Sequence, residues 1–155
     1  MGIGTDLHRL KAGRRLVLGH VPIEFDQGPV GHSDGDVLLH AVIDALLGAA
    51  GLPDIGELFP DTDAAYRGID SARLLERALA LVADRGFVPV NVDAIIHAER
   101  PKLGPHKKAI REEVARLLGL VPEAVSIKAK TNEGVDAVGR GEAIACTVVV
   151  GLRRT

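Results

Sequence analysis

Residues 32–63 read HSDGDVLLHAVIDALLGAAGLPDIGELFPDTD, and the fold turns on how this stretch is parsed. Ser33, Asp34 and Asp36 stand just ahead of an apolar run. A side-chain oxygen there can accept from the free N–H groups of a helix start, and early carboxylates suit the positive end of its dipole. Val37, Leu38, Ala41, Val42, Ala45 and Leu46 recur at helical spacing as an apolar stripe, and Gly48 to Pro53 stops the helix. Residues 54–63 lack any period and read as an acidic, proline-containing loop. A plain core helix has no use for His32, His40 and six aspartates along and beyond its ends. The stretch therefore reads as one wall of a site.

Outward from it, residues 1–10 form a first strand, with Asp6 and His8 two apart and so on one face. Residues 15–25 carry two β-rich runs about Gly19-His20, the pattern of a hairpin, and 26–31 is a polar loop. Residues 71–84 predict an amphipathic helix with Leu74, Leu75, Ala78, Leu79, Leu81 and Val82 inward. Residues 88–98 alternate as a strand, with Val90, Val92, Ala94 and Ile96 on one face. A bend at 100–106 precedes a helix at 107–118 ended by Gly119. A strand at 125–129, a polar loop at 130–140 and a long strand at 142–153 complete the chain. The expected fold is α+β: a single domain over 1–155, a mixed β-sheet with helices packed on one face.

The composition fits such a domain. Apolar residues make up 46% of the chain, enough for a real core, and the net charge is −2 with both signs interspersed. That balance argues against a nucleic-acid backbone or an anionic membrane as partner. Three Phe and one Tyr offer little for base stacking. The single cysteine, Cys146, makes no internal disulfide, so nothing demands an oxidising compartment. The longest apolar run, 143–152, is about half of what a membrane span needs, and no leader pattern opens the chain. A cytoplasmic protein is expected.

Asp6-x-His8 on a strand and His40 on a helix supply one carboxylate and two imidazoles. Three such ligands with one position open is how catalytic zinc is commonly held. The competing reading makes Asp6 a turn cap and leaves both histidines in ordinary polar contacts. Asp44, one turn after His40, is either an acceptor for its ring or a solvated helix residue. His32-Ser33 before a helix start is either an anion seat or a plain cap. Lys130-Thr131-Asn132-Glu133-Gly134 either orients phosphates and shares a hard cation with them, or is a well-formed turn. Arg140 and Glu142, flanking a glycine, make a surface ion pair unless their context says otherwise.

The segments DxHRL at 6–10, HSDGDxxxH at 32–40, DIGxLFPDTD at 54–63, RPKLGPH at 100–106, KTNEG at 130–134 and GRGEAIA at 139–145 supply that context. Together, in this order and across the whole chain, they resemble the 2-C-methyl-D-erythritol 2,4-cyclodiphosphate synthases of non-mevalonate isoprenoid biosynthesis. The pairing of HSDGD with LFPDTD is the most specific part of the resemblance.

The resemblance implies a zinc site at Asp6, His8 and His40, and a second divalent ion, Mg2+ or Mn2+, at Glu133. It implies His32 and Thr131 as catalytic, transition-state-stabilising groups. Substrate contacts are implied at Asp6, His8, His32 and Ser33, at Asp54 and Gly56 for the sugar portions, and at Phe59, Asp61 and Asp63 in a closing loop. The cytosine pocket is implied at Ala98, Pro101, Lys102, Leu103 and Gly104, with Ala129 beside it. Lys130, Thr131, Asn132, Glu133 and Arg140 are implied as further substrate contacts. The implied reaction takes 4-diphosphocytidyl-2-C-methyl-D-erythritol 2-phosphate to the cyclic diphosphate and CMP, in a homotrimer with sites between subunits. An uncovered sheet face gives self-association a physical reason. The family often carries an aromatic before the GRGE arginine. Here Val135-Asp136-Ala137-Val138 stands there, implying weak or absent isoprenoid diphosphate binding on the threefold axis. A nucleotide-binding module without turnover is the competing class, and having both Thr131 and Glu133 argues against it.

Overall fold

Strand β1 (Gly2–Ala12) alternates inward and outward residues, and its inward row is Gly2, Gly4, Asp6, His8 and Leu10. The computed structural model describes residues 1–60, 62–66 and 68–155. After β1 come the hairpin β2 (Leu16–Leu18) and β3 (Val21–Ile23), a short β4 (Gln27–Pro29), and helix α1 (Val37–Ala49). A one-turn helix α2 (Ile55–Leu58), helix α3 (Ser71–Asp84), strand β5 (Phe87–His97) and helix α4 (Lys107–Leu118) follow. Strand β6 (Val125–Lys130), a one-turn α5 (Asp136–Gly139) and strand β7 (Ala143–Arg154) close the chain.

The sheet runs β4-β1-β7-β5-β6; β5 and β6 are parallel and every other neighbour is antiparallel. This is the expected mixed sheet of an α+β fold. Helix α1 lies across β1 and β7, α3 packs on α1 and β5, and α4 packs on β6. Buried residues of β5, β6 and β7 (Val92, Ala94, Ile96, Val125, Ile127, Ile144, Cys146, Val148 and Val150) meet those helices from below. The opposite face carries Ile3, 66% exposed, and Leu7, 60% exposed, with Val149 between β1 and β5.

Helix α1 departs from the expected single stripe. Leu39, Ile43 and Leu47 are as buried as Val37, Leu38, Ala41, Val42, Ala45 and Leu46. A helix roofed by α3 while it lies on a sheet is apolar nearly all round. Asp36 is its N-cap and is fully buried. Its Oδ1 accepts from Gly19 N at 2.9 Å and Leu39 N at 3.0 Å, and its Oδ2 from His20 N at 2.7 Å. One carboxylate thus ties the β2–β3 turn to the start of α1. Burial pushes its pKa up to about 6, against the pull of those N–H groups.

Three loops expected from the sequence contain short elements. Gln27–Pro29 pairs with Leu10–Ala12, Ile55–Leu58 makes one helical turn capped by Asp54, and Asp136–Gly139 makes another. Each is too short for a periodic pattern to register. Val90 is 37% exposed rather than inward. The ladder to β7 slips between Pro89 and Asn91, so Val90 is the extra residue of a bulge, a register break that alternation alone does not reveal.

Candidate active site

Asp6 and His8 point to the same face of β1, and His40 sits one turn into α1 directly above them. The side chains reach each other because Gly2 and Gly4 let α1 lie almost on the backbone of β1. A β-carbon on Gly4 would collide with the Ala41 carbonyl, and one on Gly2 with that of Ala45. Asp6 Oδ2 lies 2.9 Å from His8 Nε2 and 2.9 Å from His40 Nδ1, and the two ring nitrogens are 3.2 Å apart. One ligand atom from each residue falls within 4.8 Å of the others, a group able to hold a metal ion.

Each of these side chains has its remaining polar atom engaged. His8 Nδ1 donates to the Val30 carbonyl at 2.9 Å, so Nε2 donates to Asp6 when the ring is protonated and offers its lone pair to a cation when the ring is neutral. Asp6 Oδ1 accepts from Leu7 N at 2.9 Å. His40 Nε2 meets the hydroxyls of Ser33 at 2.9 Å and Ser71 at 3.0 Å. Burial favours the neutral Asp6 acid, but hydrogen bonds from His40 and His8 outweigh it and hold the carboxyl well below the usual range. Its hydrogen bond in turn raises the His8 pKa, against the lowering effect of burial. A carboxylate and two imidazole lone pairs aimed at one point are the donor chemistry of a zinc site with an open position, and they fit that ion.

His8, His32, Ser33, His40, Gly56 and Phe59 line a cavity of about 400 Å³ over this centre. Tyr66 closes the same cavity, edge to face with Phe59 at 5.7 Å between centroids, and Arg77 lies over its ring. Sequence reasoning missed Tyr66, which belongs to no periodic element. Asp44 accepts from Ile55 N at 2.8 Å, so it tethers α2 to α1 and does not orient His40. Asp54 caps α2 through Glu57 N, and Asp63 accepts from Ala65 N. Asp61 lies outside the described residues.

A second cavity, about 230 Å³, is lined by Ala98, Pro101, Lys102, Leu103, Gly104 and Ala129, together with Lys130 and Thr131. Lys107, absent from the expected set, lines it too. Beside it, Thr131 Oγ1 donates to Glu133 at 3.1 Å. Asn132 is held by Glu99, His97 and Asp136, and these contacts set the shape of the loop. Arg140 is paired with Glu142 at 2.9 Å and borders a different cavity with Glu99 and Arg100. The metal-side and Leu103-side cavities share no lining residue. Within one chain the expected site residues form separate clusters.

Comparison with known proteins adds an independent line. The model of the YgbB family matches residues 1–153. The 2-C-methyl-D-erythritol 2,4-cyclodiphosphate synthase of Bordetella petrii is 56% identical over 154 residues, 99% of this chain and 95% of that protein. A solved 2C-methyl-D-erythritol-2,4-cyclodiphosphate synthase in its CDP-bound form superposes with a TM-score of 0.91 at 42% identity, covering 98% of this chain and 99% of that one. The bifunctional IspDF of Campylobacter jejuni gives a TM-score of 0.95 at 41% identity over 99% of this chain, which spans 42% of that larger protein.

Proposed function

This chain belongs to the YgbB family, and from that premise we propose that it converts 4-diphosphocytidyl-2-C-methyl-D-erythritol 2-phosphate to 2-C-methyl-D-erythritol 2,4-cyclodiphosphate and CMP. This is a phosphorus–oxygen lyase reaction of non-mevalonate isoprenoid biosynthesis. The observation that carries the reading is the convergence of Asp6 Oδ2, His8 Nε2 and His40 Nδ1 on one point above the cavity lined by His32 and Ser33.

The 2-phosphate attacks the β-phosphorus of the same molecule, so a protein that folds the substrate back on itself supplies the proximity effect. The nucleophile is already an anion, and no strong base is required. What must be managed is charge, as two phosphates approach. Zinc held by Asp6, His8 and His40 would supply Lewis-acid polarisation of a phosphoryl oxygen, and Mg2+ or Mn2+ held by Glu133 would neutralise phosphate charge. Glu133 fits as the single protein carboxylate such an ion takes, with Thr131 against it. His32 and Thr131 are the donors toward the transferring group. Asp54, Gly56, Phe59, Asp61 and Asp63 would hold and cover the sugar portion. Ala98, Pro101, Lys102, Leu103 and Gly104 would hold cytosine, and Lys130, Asn132 and Arg140 would serve the phosphates.

Residues 1–155 act in this reading as one cyclodiphosphate synthase domain within a homotrimer. Two disjoint cavities and the exposed Ile3 and Leu7 on the bare sheet face support it, because a neighbour can complete the site and cover that face. Among the described residues no helix is long and apolar enough to cross a membrane, and the cytoplasm is the proposed location. With Val135 and Asp136 ahead of Arg140, isoprenoid diphosphate binding on the threefold axis is expected to be weak. Phosphorus NMR of the diphosphocytidyl substrate tests the reading. Equimolar CMP and cyclic diphosphate are expected, and tight nucleotide binding without turnover would replace it with a binding module.

A further inference from the structure

We propose that Asp34 and Ser71 are positioning residues that set the tautomer of His40 and so its ability to hold a metal ion. Ser71 opens α3 and is 0% exposed, and Asp36 is the only other polar or charged residue as fully buried among the described residues. The Ser71 backbone N–H donates to Asp34 Oδ2 at 3.1 Å and the Ser71 hydroxyl donates to Asp34 Oδ1. With its hydrogen committed to that carboxylate, Ser71 Oγ presents only lone pairs to His40 Nε2, 3.0 Å away. It can therefore accept from an Nε2–H and cannot donate to Nε2. A neutral ring with its proton on Nε2 keeps on Nδ1 the lone pair that a cation between Asp6 and His8 would take. Ser33 Oγ, 2.9 Å from the same nitrogen, is the competing partner. Its hydrogen is free to donate to Nε2, which would place the ring proton on Nδ1 and spoil the metal side. The Asp34–Ser71 pair decides between these two states, and a partner on the far nitrogen typically matters to metal affinity.

The two substitutions act differently. Ser71→Ala deletes the acceptor. Asp34→Ala removes the carboxylate that accepts the Ser71 hydroxyl hydrogen, so that hydroxyl is free to rotate and donate toward His40 Nε2.

The inference rests on the three-ligand metal reading, and zinc binding by the unmodified protein tests that reading separately. Zinc affinity measured by chelator competition should fall about ten- to hundred-fold in each variant. Ser71→Ala/Asp34→Ala should be no weaker than Ser71→Ala alone, since Asp34 acts through that hydroxyl. In the zinc-loaded protein, the His40 Nε2–H proton signal should exchange slowly with water and lose that protection in Ser71→Ala. Unchanged zinc affinity in Asp34→Ala, or additive losses in the double variant, overturns the proposal. If Ser71→Ala does not fold, Asp34→Ala, in a partly exposed bend, carries the test alone.

Discussion

The backbone carbonyl of Ala41 occupies the space that a β-carbon on Gly4 would need. That contact brings α1 down onto β1 and lets a histidine on a helix reach an aspartate and a histidine on a strand. Gly4→Ala must push the helix away, at a cost of about 1–3 kcal/mol or more from overpacking. It should also weaken zinc binding, because His40 moves with Ala41. Urea denaturation and a zinc titration on the same variant check both effects; wild-type affinity in a destabilised protein would separate the contact from the site.

Leu7 and Ile3 lie on the sheet face that, among the described residues, carries no helix. Leu7→Asp places a charge there, and Asp6 and His8 still point the other way. The variant is expected to be a folded monomer by light scattering, with turnover lost because in the proposed trimer each site is completed by a neighbour. A trimer of normal activity would remove that face from the assembly.

The Glu133 carboxylate is the proposed ligand of the second ion and takes no part in the first. Glu133→Gln should lower turnover about a hundredfold or more, on the scale of losing one electrostatic stabiliser of a transferring phosphoryl group. Bound zinc should stay at the wild-type level. Elemental analysis beside steady-state kinetics reads both numbers, and loss of zinc from this variant would show that the clusters are not independent.

His20, at the turn of the β2–β3 hairpin, lies 2.9 Å from Glu113 Oε1 on α4 and 3.1 Å from Asp70 Oδ2 at the start of α3. The Glu113 hydrogen bond, opposed by burial and reinforced by Asp70, raises its pKa above 6.5. The folded protein then holds the proton more tightly than the unfolded chain. The stabilisation is complete below that unfolded value and fades as pH rises through the higher folded one. Between about pH 6 and about pH 8 the melting temperature of the zinc-loaded protein should therefore fall, and His20→Asn should flatten the slope. Asparagine tolerates the positive φ of 65° found at this position. An unchanged slope would assign the pH dependence to other groups.

The parts of the fold carried by periodicity were legible in the sequence. The strand under Asp6 and His8, the helix bearing His40, the amphipathic α3 and the αL glycine after α4 each leave a local pattern. What was not legible depends on contacts between distant segments. The bulge at Val90 is set by pairing with β7, and the burial of Leu39, Ile43 and Leu47 by α3 lying over α1. Ser71 reads in the sequence as nothing more than a helix start, and only packing brings it to His40 from 31 positions away. Spacing alone left the metal reading of Asp6, His8 and His40 open against ordinary polar contacts. The family motifs pointed to it, and the geometry assembles a group that can do it.

The central claim is that turnover requires a cation held between Asp6, His8 and His40. The most direct measurement is CMP release against bound zinc, in protein stripped with a chelator and refilled in steps, with His40→Ala alongside. The rate should be proportional to zinc occupancy, rising from near zero, with neither bound zinc nor CMP release in His40→Ala while its circular dichroism stays that of a folded protein. Undiminished CMP release from stripped protein, or from His40→Ala, would contradict it.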